Sequence, residues 1–145
     1  MDDSYITIAT CNYNTSQLTN NLIQSVFENF SCMPFKFIVL DNSDKEKFTT
    51  TFNVKTIDNT KGQYIDFNRI IDSLPTKVNS INNYASLKHA ASIQFLLNIC
   101  ITSKMLLFDS DTVLLHDIDF IDPNIISAFD LEGISRHLIR SVPYV

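Results

Sequence analysis

Tyr5-Ile6-Thr7-Ile8-Ala9-Thr10-Cys11-Asn12-Tyr13-Asn14-Thr15-Ser16-Gln17 begins as a strand and ends at the start of a helix. Residues 5–10 are short and β-branched, the pattern of a buried strand. The polar run 11–17 follows at once and offers several helix N-caps, with Asn14 and Gln17 at capping-box spacing. Leu18, Leu22 and Val26, with Ile23, Phe27 and Phe30, recur at helical intervals and predict an amphipathic helix over 16–29. Pro34 closes the linker. Phe35-Lys36-Phe37-Ile38-Val39-Leu40 then predicts a second strand, which stops abruptly at Asp41-Asn42-Ser43-Asp44. Strand, helix and strand in this order imply two parallel strands joined by a right-handed crossover.

Further along, a charged loop at 44–47 precedes a short strand over 54–57. Gly62 is expected to open a helix that runs to Leu74 and stops at Pro75. A stronger helix is predicted over 84–100, with Leu87, Ala90, Ile93, Leu97 and Cys100 on its apolar stripe, joined by Ala91 and Leu96. Lys104-Met105-Leu106-Leu107-Phe108 reads as a compact strand running into Asp109-Ser110-Asp111-Thr112. A further strand at 113–115 and a short helix over 123–128 are expected after it. The alternation defines an α/β chain with a mostly parallel open sheet flanked by helices.

The chain has 145 residues, 45% apolar and 19% charged, which fits one domain with a substantial core. Two glycines and four prolines exclude collagen-like and linker-like classes. The net charge of −5 and the scattered basic residues exclude unaided nucleic-acid binding, which needs clustered Lys and Arg. Cys11, Cys32 and Cys100 are odd in number and form no CxxC pair, and no zinc spacing includes His89, His116 or His137. They read as thiols of a reducing cytosol. Met1-Asp2-Asp3-Ser4 is acidic where a signal peptide is basic, and no run of about 18 apolar residues spans a membrane. A cytoplasmic protein is expected, with peripheral membrane contact left open.

The sharpest chemical feature is Asp109-Ser110-Asp111 at the end of a buried strand. Two carboxylates one residue apart repel unless a cation sits near them. Mg²⁺ or Mn²⁺, with oxygen ligands from carboxylate, water and phosphate, is the natural partner. Asp and Ser also favour ordinary turns and caps. In a parallel sheet, however, this cluster gathers on one edge with Thr10-Cys11-Asn12-Tyr13-Asn14 and Asp41-Asn42-Ser43, where α/β proteins bind ligands. Asp41 is there placed to accept hydrogen bonds from a base or ribose.

Taken in order, Ile-Thr-Ile-Ala-Thr-Cys-Asn-Tyr-Asn, Phe-Ile-Val-Leu-Asp-Asn-Ser and Lys-Met-Leu-Leu-Phe-Asp-Ser-Asp-Thr resemble the Rossmann-like, nucleotide-binding half of GT-A glycosyltransferases, especially the inverting family-two type. The resemblance covers residues 5–115. It implies a nucleotide-diphosphate sugar donor, a glycan or lipid-linked acceptor, a role in surface glycan synthesis and Mn²⁺ or Mg²⁺ as cofactor. It implies that Thr10, Asn12 and Asn14 line the nucleoside and that Asp41 contacts the base. Asp109 then reaches the ribose or the metal's water shell, and Asp111 ligates the metal. His89, expected at the start of the helix before the fourth strand, falls where relatives carry an Arg or His near the diphosphate. Gly62 and Asn68 echo a family pattern of Gly followed six residues later by Asn.

The resemblance has gaps. Lys88-His89-Ala90 stands where relatives have Ala-Arg-Asn, and the chain stops 34 residues after Asp111. An acceptor half and a catalytic carboxylate are therefore missing from the pattern. Asp117, Asp119, Asp122, Asp130 and Glu132 are acidic but lack the expected context, so no base is assigned. Ser141-Val142-Pro143-Tyr144-Val145 reads as mid-domain sequence, as in a fragment. The alternative is a nucleotide-binding or partner module without turnover. A haloacid-dehalogenase-like phosphatase is more remote, because Thr112 follows the second Asp directly and the motif comes late. An EF-hand loop fails because Val113 occupies its third oxygen position.

Overall fold

A computed structural model describes residues 3–74 and 81–118, with the backbone of 128–129 and 135–136. The chain forms β1 (Ile6–Asn12), α1 (Ser16–Asn29), β2 (Phe35–Asp41), β3 (Lys55–Asp58), α2 (Phe67–Asp72), α3 (Ile81–Ile99) and β4 (Met105–Leu107). A small antiparallel pair, β5 (Ala128–Phe129) and β6 (Ser135–Arg136), follows. The main sheet has the order β3-β2-β1-β4, and every pairing in it is parallel. This is the expected α/β, Rossmann-like arrangement.

Period-two alternation sends the strands' side chains to two cores. Ile6, Ile8, Phe37 and Val39 face α1 and pack on Leu22, Ile23, Val26 and Phe30. Ala9 and Leu40 face the other way and pack with Ile57, Ile65 and Leu96. Each large side chain removed from water in this way contributes about 1.5–3 kcal/mol. Helices therefore cover both faces, and the rim at the strands' carboxyl ends is left for a ligand.

The helices depart from their expected faces in an informative way. On α1, Leu18 and Phe27 are exposed while Thr19 and Ser25 turn inward. Thr19 donates to Asn12 at the end of β1 and Ser25 accepts from Leu114 N beyond the acidic turn, which compensates their burial. On α3 the buried positions among the described side chains are Ser92 and Leu96, and Leu97 is exposed, so the stripe is rotated from the expected one. Ser92 accepts a hydrogen bond from Asn42 Nδ2 at 2.9 Å, which fixes that rotation.

Gly62 does not open a helix. It occupies a turn at φ +69°, and α2 begins at Phe67, where the Asp66 carboxylate accepts from Arg69 N at 3.1 Å. That N-cap, and the grip of Asn59 on the preceding loop, override the earlier start. Residues 113–118 form no strand. Their backbone is bonded by α1 side chains instead. The helix expected over 123–128 lies outside the described residues except for Ala128, which begins β5. Among the described residues no helix is long and apolar enough to cross a membrane.

Candidate functional site

The parallel register sets the rim. Asn12 lies opposite Asp41, Asp41 opposite Asp58, and Ala9 opposite Leu107, so the loops after all four strands emerge at one edge. The order in which strands are added reverses between β1 and β4, because the chain passes from β1 through β2 to β3 and then returns to the other side of β1. Ligands in open α/β sheets sit at such a reversal. Here the β1–α1 loop and the Asp109-Ser110-Asp111 turn flank it.

The rim has a buried polar floor. Asn12 and Asp41 are both fully buried. Asn12 Nδ2 donates to Asp41 Oδ1 and to Ser43 Oγ, each at 3.0 Å. Its Oδ1 accepts from Thr19 Oγ1 at 2.6 Å and Thr15 Oγ1 at 3.2 Å. Asp41 Oδ1 also accepts from Ser43 N and Oγ, while Oδ2 accepts from Phe48 N at 2.8 Å. Asp41 therefore binds its own loop, and both of its oxygens are engaged within the protein. Thr10 is equally buried, and its Oγ1 has no hydrogen-bond partner among the described residues. These three residues lie beneath the surface a ligand would touch.

Asn14 is a loop organiser too. At φ 54° its amide oxygen accepts from Lys45 N and Glu46 N, and its Nδ2 donates to Asp44 at 2.6 Å. Tyr13 OH donates to the other Asp44 oxygen at 2.8 Å, tying the β1–α1 loop to the β2–β3 loop. Those two bonds lower the Asp44 pKa, and the same carboxylate raises that of Tyr13.

Above the floor lies a cleft of about 460 Å³. Asn42, Asn59, Gly62, Phe67, Tyr84 and Lys88 are among its lining residues, together with Tyr13. Asn59 Oδ1 accepts from Tyr64 N and Ile65 N, and its Nδ2 donates to Asn42 Oδ1, so one asparagine shapes the 59–65 loop. The Lys88 ammonium stands 4.4 Å from the Tyr84 ring centre, 5.4 Å from Phe67 and 5.6 Å from Tyr13. Asn59 belongs to none of the sequence motifs, and Tyr13, Asn42 and Lys88 stand within quoted stretches that assigned them no role. Tyr13, Asn42 and Asn59 each follow a strand end, whereas Lys88 lies within α3 and meets the three rings only through tertiary packing. A larger hollow of about 980 Å³ lies at the opposite end, by Phe35 and Lys55 at the starts of β2 and β3.

Asp109 and Asp111 are exposed. Asp109 carbonyl oxygen accepts from Thr112 N at 3.0 Å, closing the turn, and Ser110 Oγ accepts from Thr15 Oγ1 at 3.5 Å. His89 lies within α3, not at its start, with Nε2 3.9 Å from Asp109 Oδ1. The structure thus brings His89, Asp109 and Asp111 to one side of the rim. No group of three or more His, Cys, Asp or Glu suited to a metal occurs among the described residues. Two exposed carboxylates are nonetheless a hard-oxygen donor pair, the set that holds Mg²⁺ or Mn²⁺ when substrate phosphates complete the shell. The residues fit a shared site and not a closed protein cage.

Asp117 is committed elsewhere. Its oxygens accept from Ser31 N at 3.0 Å, from Ser31 Oγ and from Ile118 N, which lowers its pKa. Asp119, Asp122, Asp130 and Glu132 lie outside the described residues. Burial pushes the Cys11 thiol up to about 11, so it is no nucleophile at neutral pH. Comparisons with protein-family models, curated proteins and solved structures give no match, so the functional reading rests on this geometry and on the resemblance of the motifs.

Proposed function

We propose that this chain is the donor-binding half of a glycosyltransferase, which moves a sugar from a nucleotide-diphosphate sugar to an acceptor hydroxyl. The observation that carries the reading is that the loops after all four parallel strands emerge at one edge, where an exposed acidic turn and a cleft bearing three aromatic side chains both lie. The cleft suits a nucleoside, with Tyr13, Phe67 and Tyr84 offering ring faces and Asn42 and Asn59 holding its wall. Lys88 supplies positive charge where the diphosphate leaves the cleft. The neighbouring Asp109 and Asp111 would hold Mg²⁺ or Mn²⁺, with His89 beside Asp109. When bound, the metal supplies charge stabilisation to the departing diphosphate. The buried Asn12–Asp41–Ser43 floor keeps these loops in place during the reaction. Overall, the acceptor oxygen forms a bond to the anomeric carbon as the bond to the diphosphate breaks, and the hydroxyl proton leaves to a base. That displacement inverts the anomeric centre.

The test is a thermal-shift panel of UDP-, GDP-, dTDP- and CDP-sugars with and without Mn²⁺. A ligand at a hundred times its Kd stabilises by about 2.7 kcal/mol. One nucleotide class should do so only with the metal. Asp111→Asn should abolish that increment and leave the ligand-free midpoint unchanged, because the residue is exposed. Metal-independent stabilisation, or none from any donor, would overturn the reading.

A further inference from the structure

We infer that helix α1 acts as a clamp on the backbone that carries Asp109 and Asp111, with Ser25 as its positioning residue. The inference rests on the donor-site reading above and extends it to residues remote from the rim loops. Ser25 is 4% exposed on the inward face of α1, beside Leu22 and Val26. Alanine would suit both the helix and the core better, since a buried hydroxyl is costly unless it is bonded. Its hydroxyl donates to Leu22 O at 2.7 Å and accepts from Leu114 N at 2.9 Å. The second bond is the non-local one, and it binds the chain just beyond the acidic turn.

Asn29 completes the grip. It lies four residues on, hence on the same side of the helix. Its Nδ2 donates to Leu114 O at 2.8 Å. Both backbone polar groups of Leu114 are thus held by one face of α1. Ser31, just after the helix, bonds Asp117 through its N–H and its hydroxyl. At the other end of α1, Thr15 reaches Ser110 at 3.5 Å. On the strand side, Phe108 N donates to Ala9 O at 3.0 Å. Residues 109–113 are therefore anchored at both ends. Two like charges one residue apart repel and would drift apart on a loose loop. A clamped backbone holds them near one cation before any ligand arrives.

The test compares the unaltered chain with Ser25→Ala and Asn29→Ala by amide hydrogen exchange and by Mn²⁺ affinity in the presence of UDP or GDP. Both variants should keep the protection of β1 and β2. Each should speed exchange at Leu114 and across 109–112, and weaken Mn²⁺ about three- to tenfold, the effect of one lost hydrogen bond. Unchanged exchange at Leu114 overturns the clamp. Faster exchange with unchanged Mn²⁺ affinity overturns its positioning role alone. Absence of Mn²⁺ binding by the unaltered chain overturns the donor reading and the positioning role with it. It is recognised because the exchange effect of Ser25→Ala then stands without any metal signal.

Discussion

Asp41 illustrates how a motif residue expected at a ligand also anchors its own loop. Its position at the end of β2 follows from the sequence, yet its carboxylate is buried and bonded to Asn12, Ser43 and Phe48. Asp41→Asn would leave an amide nitrogen facing donors from these neighbours. Each unsatisfied buried group costs about 1–3 kcal/mol, so urea unfolding should show a loss of about that size or more. A loss below about 0.5 kcal/mol would mean that the floor is not rigid. No inspection of Val-Leu-Asp-Asn-Ser alone could separate a ligand contact from a loop anchor, because the distinction depends on whether Phe48 and Asn12 arrive.

Among the elements, the β3–α2 connection ties local geometry to the cleft. Gly62 sits at φ +69°, while a Cβ there would meet Ile65 O at an ordinary 3.5 Å. The cost of Gly62→Ala is therefore backbone strain and not a clash, about 1–2 kcal/mol. Chemical denaturation should register that loss, and equal stability would show that the loop relaxes easily. The α1 bounds 16–29 were legible from its helix-period apolar residues, but the capping box was not borne out: the N-cap is Thr15, without a side-chain cap bond, and Asn14 bonds the 44–46 loop. The start of α2 was not legible, because Asn59 holds the 59–65 loop through Tyr64 N and Ile65 N and so delays the helix.

Across the fold, three carboxylates that join loops have lowered pKa values. Asp44 is held down by Asn14 and Tyr13, Asp58 by Lys47 and Thr60, and Asp117 by Ser31. The Lys47–Asp58 pair is 2.7 Å apart. A folded-state pKa below the unfolded value gives stability that is present above about pH 3.9 and lost as pH falls toward the folded value. The thermal midpoint should therefore drop steeply from about pH 4 downward, and Asp58→Asn with Asp117→Asn should flatten that drop. A midpoint that is level through this window would contradict the argument. Asp44 is exposed and Asp58 and Asp117 are half-buried, so salt should reduce the effect.

Strand order along the chain, the parallel crossover and the cluster of polar residues at the strand ends were readable from residues alone. Alternation and helical periodicity are local consequences of burying one face, and they survive without knowledge of the partners. The rotation of α3, the commitment of Asp41 and Asn12 to the floor, the cage of rings around Lys88 and the grip of α1 on Leu114 were not readable. Each joins groups far apart in sequence, and a polar side chain carries no local sign of whether its partner is a ligand, water or a distant backbone amide. Packing of the two helices on opposite faces of the sheet brings those partners within hydrogen-bonding distance and so assigns the roles.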